Sequence, residues 1–220
     1  MKKIIYITER FPYPPNSGGK IKTLNTLNTL AQKYQVHLIS FSPKPIAQKN
    51  QQFIKEKLNS SKLFINPEIN DHVKQNPHKL IANYLKGIPH LIFQYQNQTA
   101  YQKIQNLIKQ VKPDVIHIDH LNMAQYLPAE KQCTWILEEH NLESSLLWSR
   151  FIYHKHLKTK LFLLAESILA YFYEHKILNQ FDAIFTISIQ DKEILEKKLE
   201  KPFISSYLLP ANKLQLTKKI

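Results

Sequence analysis

Apolar residues arrive along this chain in short β-branched runs separated by stretches of helical period. Lys2–Thr8 is such a run, bounded by charge and then by Pro12, Pro14 and Pro15, and reads as a buried strand feeding a loop. From Lys20 to Lys33 the apolar positions Ile21, Leu24, Leu27, Leu30 and Ala31 keep a helical spacing, and Val36–Phe41 is a second buried run. Strand, Asn16-Ser17-Gly18-Gly19 turn, helix and strand make a βαβ unit, whose strands are parallel. Further on, the sequence predicts helices around Ile46–Leu58, Asn76–Leu85 and Ala100–Val111, with a strand at Lys62–Ile65. Asp114–Asp119 reads as a strand, as does Thr134–Leu137, which ends in Glu138-Glu139-His140-Asn141. A long helical region from Leu146 to about Gln180, a last strand at Asp182–Ser188 and a helix at Gln190–Leu199 follow. Strands alternating with helices, never joined as hairpins, predict an α/β fold with a single Rossmann-like doubly wound parallel sheet flanked by helices. That domain is expected over residues 1–208, with 209–220 a polar, Lys-rich tail or interdomain linker.

Composition narrows the setting. The 220 residues, 43% hydrophobic and 11% aromatic, are enough for one large α/β domain with its own core. Cys133 is the sole cysteine, which excludes a disulfide framework and a thiolate metal cluster and favours a reducing, cytoplasmic compartment with Cys133 as a structural thiol. The apolar run Ile4–Ile7 is shorter than the ~7–15 residues of a signal peptide, and no uncharged apolar stretch approaches the ~18 of a membrane span. The expected location is therefore cytoplasmic, at most peripheral on the inner face of the cell membrane. A net charge of +13 favours anionic surfaces. Nucleic acid is not expected as a partner, because the lysines are scattered and neither zinc-finger spacing nor an aromatic ribonucleoprotein motif is present. An anionic membrane surface or a solvated Lys-rich exterior remains.

Doubly wound sheets bind ligands beyond the carboxyl ends of their strands, where loops converge and helix N-termini offer free N–H groups to anions. The polar clusters of this sequence lie at such ends. Ser17-Gly18-Gly19-Lys20 follows the first strand, where glycine lets backbone approach a ligand closely, although the same turn also serves as a plain connection. It matches neither a dinucleotide fingerprint nor a phosphate-binding P-loop. His117, Asp119 and His120 end one strand, and Glu138, Glu139, His140 and Asn141 end the next. A metal held by His117, His120, Glu139 and His140 is conceivable, but strand parity sets His117 and Asp119 against His120, and no metal is expected. His117 is expected to be a buried, satisfied imidazole, while His140 lies beyond its strand, where structural and functional roles are both open. Glu166 and Glu174 sit within one aromatic-rich helical stretch and read as helix-surface or strut residues.

Four segments together carry a resemblance. Ile-Ile-Tyr-Ile-Thr-Glu-Arg-Phe-Pro-Tyr-Pro-Pro-Asn-Ser-Gly-Gly-Lys-Ile-Lys-Thr over 4–23 resembles the opening of family 4 glycosyltransferases, which share the GT-B fold. Pro-Asp-Val-Ile-His-Ile-Asp-His over 113–120, Glu-Glu-His-Asn over 138–141 and Phe-Asp-Ala-Ile-Phe-Thr-Ile-Ser-Ile-Gln-Asp over 181–191 resemble its later landmarks, in order. The resemblance implies the N-terminal, acceptor-side half of such an enzyme. Gly18 and Gly19, with Lys20, would approach the donor diphosphate and the acceptor, and His140 would be the catalytic histidine at the cleft floor. Glu9 and Arg10 would lie in the acceptor-facing loop, with His120, Glu139 and Asn141 as further substrate-binding positions and Ser188 and Asp191 mainly structural.

The resemblance further implies transfer of a hexose, with retention, from a nucleotide diphosphate sugar to a glycan or lipid-linked acceptor. No cofactor is expected, the nucleotide sugar being a co-substrate. In the family a second Rossmann-like domain binds that donor and supplies paired glutamates, whereas this sequence ends soon after Leu208-Leu209-Pro210, near where it would begin. The chain alone is then expected to be inactive or nearly so, with a separate donor-domain subunit as a candidate partner. The alternative is a non-catalytic membrane- or partner-binding module on the same scaffold.

Overall fold

Burial along the first strand alternates between two core layers. Ile5 and Ile7 pack into one layer and Tyr6 into the other, so the sheet is covered on both faces. The computed structural model describes residues 1–42, 44–58, 63–66, 77–199 and 203–206. Its strands are β1 (Lys3–Thr8), β2 (Gln35–Phe41), β3 (Leu63–Asn66), β4 (Val115–Asp119), β5 (Thr134–Glu139), β6 (Ala183–Thr186) and β7 (Phe203–Ser206). All pair in parallel, in the order β3-β2-β1-β4-β5-β6-β7. Order reverses between β1 and β4: one half of the chain winds outward from β1 through β2 to β3, the other from β4 to β7. The fold is thus an α/β, Rossmann-like doubly wound sheet whose switch point lies between β1 and β4.

The helices are α1 (Gly18–Ala31), α2 (Gln48–Lys57), α3 (Pro77–Leu85), α4 (His90–Phe93), α5 (Gln98–Val111), α6 (Glu143–Tyr153), α7 (Leu157–Leu178) and α8 (Ile189–Lys198), with a 3-10 helix over Leu121–Tyr126. Leu24 and Leu27 of α1 pack with Leu38 and Ile54 beneath α1 and α2. Ile104 and Val111 of α5 pack with Ile116, Leu137 and Ile184 on the other face. Local chemistry sets several boundaries. The Asn97 side chain accepts the Ala100 N–H at 2.8 Å to start α5, and Lys112 closes that helix in the left-handed region at φ 48. Ser188 Oγ accepts the Asp191 N–H at 2.9 Å and starts α8, the structural role expected of that pair.

Two expectations need correction. The single helical region from Leu146 to Gln180 is two helices, α6 and α7, separated at His154–His156. The chain folds back there because Leu147 of α6 and Leu163 and Ala170 of α7 bury one another, which a single straight rod would leave bare. Asp182–Ser188 is not the last strand, since β7 pairs outside β6. The tail at 209–220 lies outside the described residues.

Candidate active site

The carboxyl ends of β1, β4 and β5 open into a cavity of about 590 Å³ at the switch point. Thr8, Glu9 and Arg10 leave β1, His120 follows β4, and His140 and Asn141 follow β5, all lining the cavity. The first turn of α1 forms one wall with Ser17, Gly19 and Lys20, and Arg150 of α6 and Phe162 of α7 contribute to another. Of the residues singled out in the sequence, Gly18 stands beside this lining as the first residue of α1. Glu139 is elsewhere: it shares the face of Leu137, opposite Glu138, and does not line the cavity.

At the cavity floor His140 Nε2 lies 2.7 Å from Asp119 Oδ1. A carboxylate only accepts, so Nε2 carries the proton and Nδ1 is left as the ring's acceptor. Asp119 is fully buried, and its Oδ2 accepts from Thr8 Oγ1 and Thr23 Oγ1, each at 2.8 Å. Burial pushes this carboxyl up, but the His140 hydrogen bond, the nearby His120 and His140 rings and Thr23 outweigh it and hold Asp119 well below the usual carboxylate range. Asp119 is the centre of this cluster, yet its sequence signal was only its place at a strand end beside two histidines.

His120 overturns the parity argument that set it apart from Asp119. Its backbone has left the strand, with φ 78, and its ring stacks on that of His140 with centroids 3.6 Å apart. A non-glycine residue at positive φ costs on the order of 1–3 kcal/mol and persists only where its surroundings enforce it. Here the His120 N–H donates to the Glu138 carbonyl at 3.1 Å, and the His120 carbonyl accepts from the Met123 N–H at 3.0 Å. Burial, together with the neighbouring His140, lowers the His120 pKa and favours a neutral ring despite Asp119. Ligand atoms of Asp119, His120 and His140 lie within 4.8 Å of one another, a donor set of the kind that takes a divalent metal. The His140–Asp119 hydrogen bond already satisfies one donor pair of that set.

Behind the floor lies a second buried network. Glu138 accepts from Lys22 Nζ at 2.9 Å, Tyr6 Oη at 3.0 Å, His117 Nε2 at 3.1 Å and Thr26 Oγ1 at 3.3 Å. Burial raises its pKa, and the His117 hydrogen bond and Lys22 charge more than reverse this, holding it at about 2. His117 also stacks on Tyr6 at 4.6 Å, so it is the satisfied, buried imidazole expected. Lys22, Thr23 and Thr26, one helical face, therefore tie α1 to β4 and β5 through polar groups rather than apolar packing. A pattern search for amphipathic helices passes over that face.

The uncapped start of α1 faces the same cavity. Ser17 precedes it in extended conformation with no side-chain cap hydrogen bond. An added Cβ at Gly18 or Gly19 meets nothing within 4 Å, so no packing inside the described chain demands glycine at either position. Glu9 is buried and held by Asn122 Nδ2 at 2.6 Å and Arg10 Nε at 3.0 Å, which fixes the loop after β1.

Both helical glutamates are buried struts rather than surface residues. Glu166 accepts the His90 N–H at 2.8 Å, the Leu91 N–H at 3.4 Å and the Tyr84 hydroxyl, satisfying the start of α4. Glu174 accepts the Ser144 N–H at 3.0 Å and the Ser144 hydroxyl, doing the same for α6. Near Glu174, burial and then the Glu174 and Glu9 charges push Glu143 up to about 7. Glu139 is raised well above its ordinary value by burial and by the Glu174 and Glu143 charges, with partial relief from the Asn141 backbone and Lys22.

No family model and no curated protein matches the chain by sequence. Solved structures do match by fold. A sucrose-phosphate synthase from Thermosynechococcus elongatus superposes with a TM-score of 0.56 at 11% identity, over 94% of this chain and 47% of its own. Phytolacca americana UGT2, solved with UDP-2fluoro-glucose and pterostilbene, superposes with a TM-score of 0.52 at 9% identity, over 97% of this chain and 55% of its own. The chain thus spans about half the length of these structures. The likeness shows a glycosyltransferase-like fold.

Proposed function

We propose that this chain is the acceptor-side half of a nucleotide-sugar-dependent glycosyltransferase of the family 4 type. The observation that carries the reading is the His140–Asp119 pair on the floor of a switch-point cavity, facing the uncapped N-terminus of α1. A helix N-terminus with free N–H groups, glycine at its first two positions and Lys20 beside it is chemically suited to diphosphate oxygens. Across the floor, His140 takes a hydroxyl of the transferring sugar or of the acceptor on its Nδ1, and Asp119 positions the ring by accepting its Nε2–H. Asp119 is in this scheme a positioning residue.

The donor sugar is carried by a second domain of comparable size, on the same polypeptide or a separate one, which closes over the cavity. Its arrival supplies the glutamates that hold the sugar and excludes water. Positioning of two substrates in one closed cleft is worth ~7–11 kcal/mol, so this half alone turns over little or not at all. The product keeps the anomeric configuration of the donor, and the acceptor is a glycan or lipid-linked sugar. The two solved structures, one of a synthase of sucrose phosphate and one holding a UDP-sugar analogue, agree in fold with this assignment.

A transfer assay with radiolabelled nucleotide sugars and a membrane lipid extract tests the reading, with the chain alone and with a donor-binding half added. Transfer that needs both halves and disappears in His140→Ala is expected. Robust transfer by the chain alone overturns the need for a second domain, and transfer unchanged in His140→Ala overturns the assigned site.

A further inference from the structure

The hairpin of α6 and α7 carries an outer face that no described part of the chain covers. Tyr153 is 80% exposed, Leu157 70%, Phe172 66% and Leu161 58%, with Trp148 and Ile152 beside them. Leu157, Leu161, Ile168 and Phe172 recur at i, i+4, i+11 and i+15, which at 3.6 residues per turn places them within one stripe about 60° wide. Scattered exposed apolar residues are ordinary, but a continuous aromatic and aliphatic face on two packed helices marks an interaction surface.

Charge identifies the partner. All three acids of the hairpin are engaged away from that face: Glu166 and Glu174 are buried as helix struts, and Glu143 is half-buried at the cavity. The exposed ionised groups of the hairpin away from the cavity are cations, namely Lys155, Lys158 and Lys176, on a chain of net charge +13. Large apolar side chains ringed by flexible cations are what a helix lying in the head-group layer of an anionic membrane presents. A protein partner of ordinary interface composition would be met with fewer lysines. Among the described residues no helix is long and apolar enough to cross a membrane, so contact through this face is lateral.

We infer that the α6–α7 hairpin docks on an anionic lipid bilayer, with Leu157 and Tyr153 entering the acyl boundary and the lysines contacting lipid phosphates. Arg150 and Phe162 of the same hairpin line the active-site cavity, so docking sets the cavity mouth at the height of the head groups. The delivery of a membrane-embedded acceptor into the cavity rests on the glycosyl-transfer reading; the docking itself does not.

The test is co-sedimentation of the full chain, without any nucleotide sugar, with phosphatidylcholine vesicles and with vesicles also containing phosphatidylglycerol. The wild type should bind only the anionic vesicles, release with salt, and show a blue shift of Trp148 emission. The pairs Leu157→Gln with Leu161→Gln and Lys155→Glu with Lys158→Glu change exposed positions only, and each should weaken vesicle binding more than about tenfold while circular dichroism stays unchanged. Failure of the wild type to bind, or equal binding by both variants, overturns the inference. So does a self-association or capture of a donor-binding half that the variants abolish without vesicle binding by the wild type, which assigns the face to protein. Because transfer to a water-soluble acceptor and its loss in His140→Ala are read separately, failure of docking leaves the enzymatic reading standing, and the reverse also holds.

Discussion

Asp119 ends β4 in register with Glu138 of β5, His140 follows two residues beyond Glu138, and the two side chains meet at 2.7 Å, with the far oxygen of Asp119 held by one threonine from β1 and one from α1. The carboxylate is thereby fixed by three elements before any ligand arrives. Asp119→Asn keeps the volume but removes the charge, and its amide can present N–H to the ring, reversing the hydrogen bond and the tautomer. On the proposed function, transfer with a donor-binding half supplied should fall by about 10²-fold or more, the usual scale for a misoriented catalytic group, with nucleotide binding to that half unchanged. A loss confined to KM, with kcat preserved, would remove the positioning role.

Gly19 is at the start of α1 without a neighbour that forbids a Cβ. Gly19→Ala should therefore fold at least as well as the wild type, with a melting temperature equal or higher, since alanine reduces unfolded-state freedom by up to about 1 kcal/mol. Transfer should nonetheless drop, because the methyl group occupies space needed by a ligand approaching the backbone. Equal melting and equal activity would show that the turn is a plain connection.

The strand–helix order was legible in the sequence because β-branched runs such as Val36–Phe41 and Val115–Asp119 are buried on both faces and read as continuous apolar stretches. The site was legible only in outline. His140 and the Gly18-Gly19 turn stood at strand ends, where the topology directs attention. Asp119 as the hub with Thr23 as its support, and Glu138 held by Lys22 and Thr26, were not legible, since these groups come together across long stretches of sequence, 96 residues for Thr23 and Asp119 and 112 for Thr26 and Glu138. His120 was misplaced because strand parity stops applying at a residue with positive φ, and nothing in the residue type announces that φ. The break between α6 and α7 escaped for a related reason: it follows from burial of Leu147 against Leu163, a tertiary contact without a local glycine or proline.

Glu166 joins α7 to the start of α4 through two backbone amides and the Tyr84 hydroxyl. Glu166→Ala strands these donors and should destabilise the fold by about 1–3 kcal/mol, with Glu166→Gln intermediate because it retains one acceptor oxygen. Hydrogen exchange should localise the change to residues 84–91, next to the cavity wall. Uniform loss of protection across the sheet, or none, would contradict a strut role.

Opposite pH dependences are expected from the two groups of carboxylates. Glu138 is held at about 2, below its ordinary 4.5, so its contribution to stability is present above pH 4.5 and is lost as pH falls toward 2. Glu138→Gln should accordingly flatten the acid limb of the stability curve in that window, and Lys22→Met, which leaves Glu138 buried with less compensation, should cost about 3–5 kcal/mol at neutral pH. Glu143 is displaced the other way, to about 7. Its stabilising protonated form is complete below pH 4.5 and is lost as pH rises through 7, so ionisation costs stability at pH 8. Glu143→Gln should raise the melting temperature by about 2–6 °C at pH 8 and leave it nearly unchanged at pH 4. Thermal melts of the wild type and the three variants between pH 2 and 9 separate these effects. If Glu143→Gln gave the same gain at pH 4 as at pH 8, its effect would be packing rather than charge, and the mutual repulsion of half-buried Glu143 with buried Glu139 and Glu174 would not set the alkaline limit of the fold.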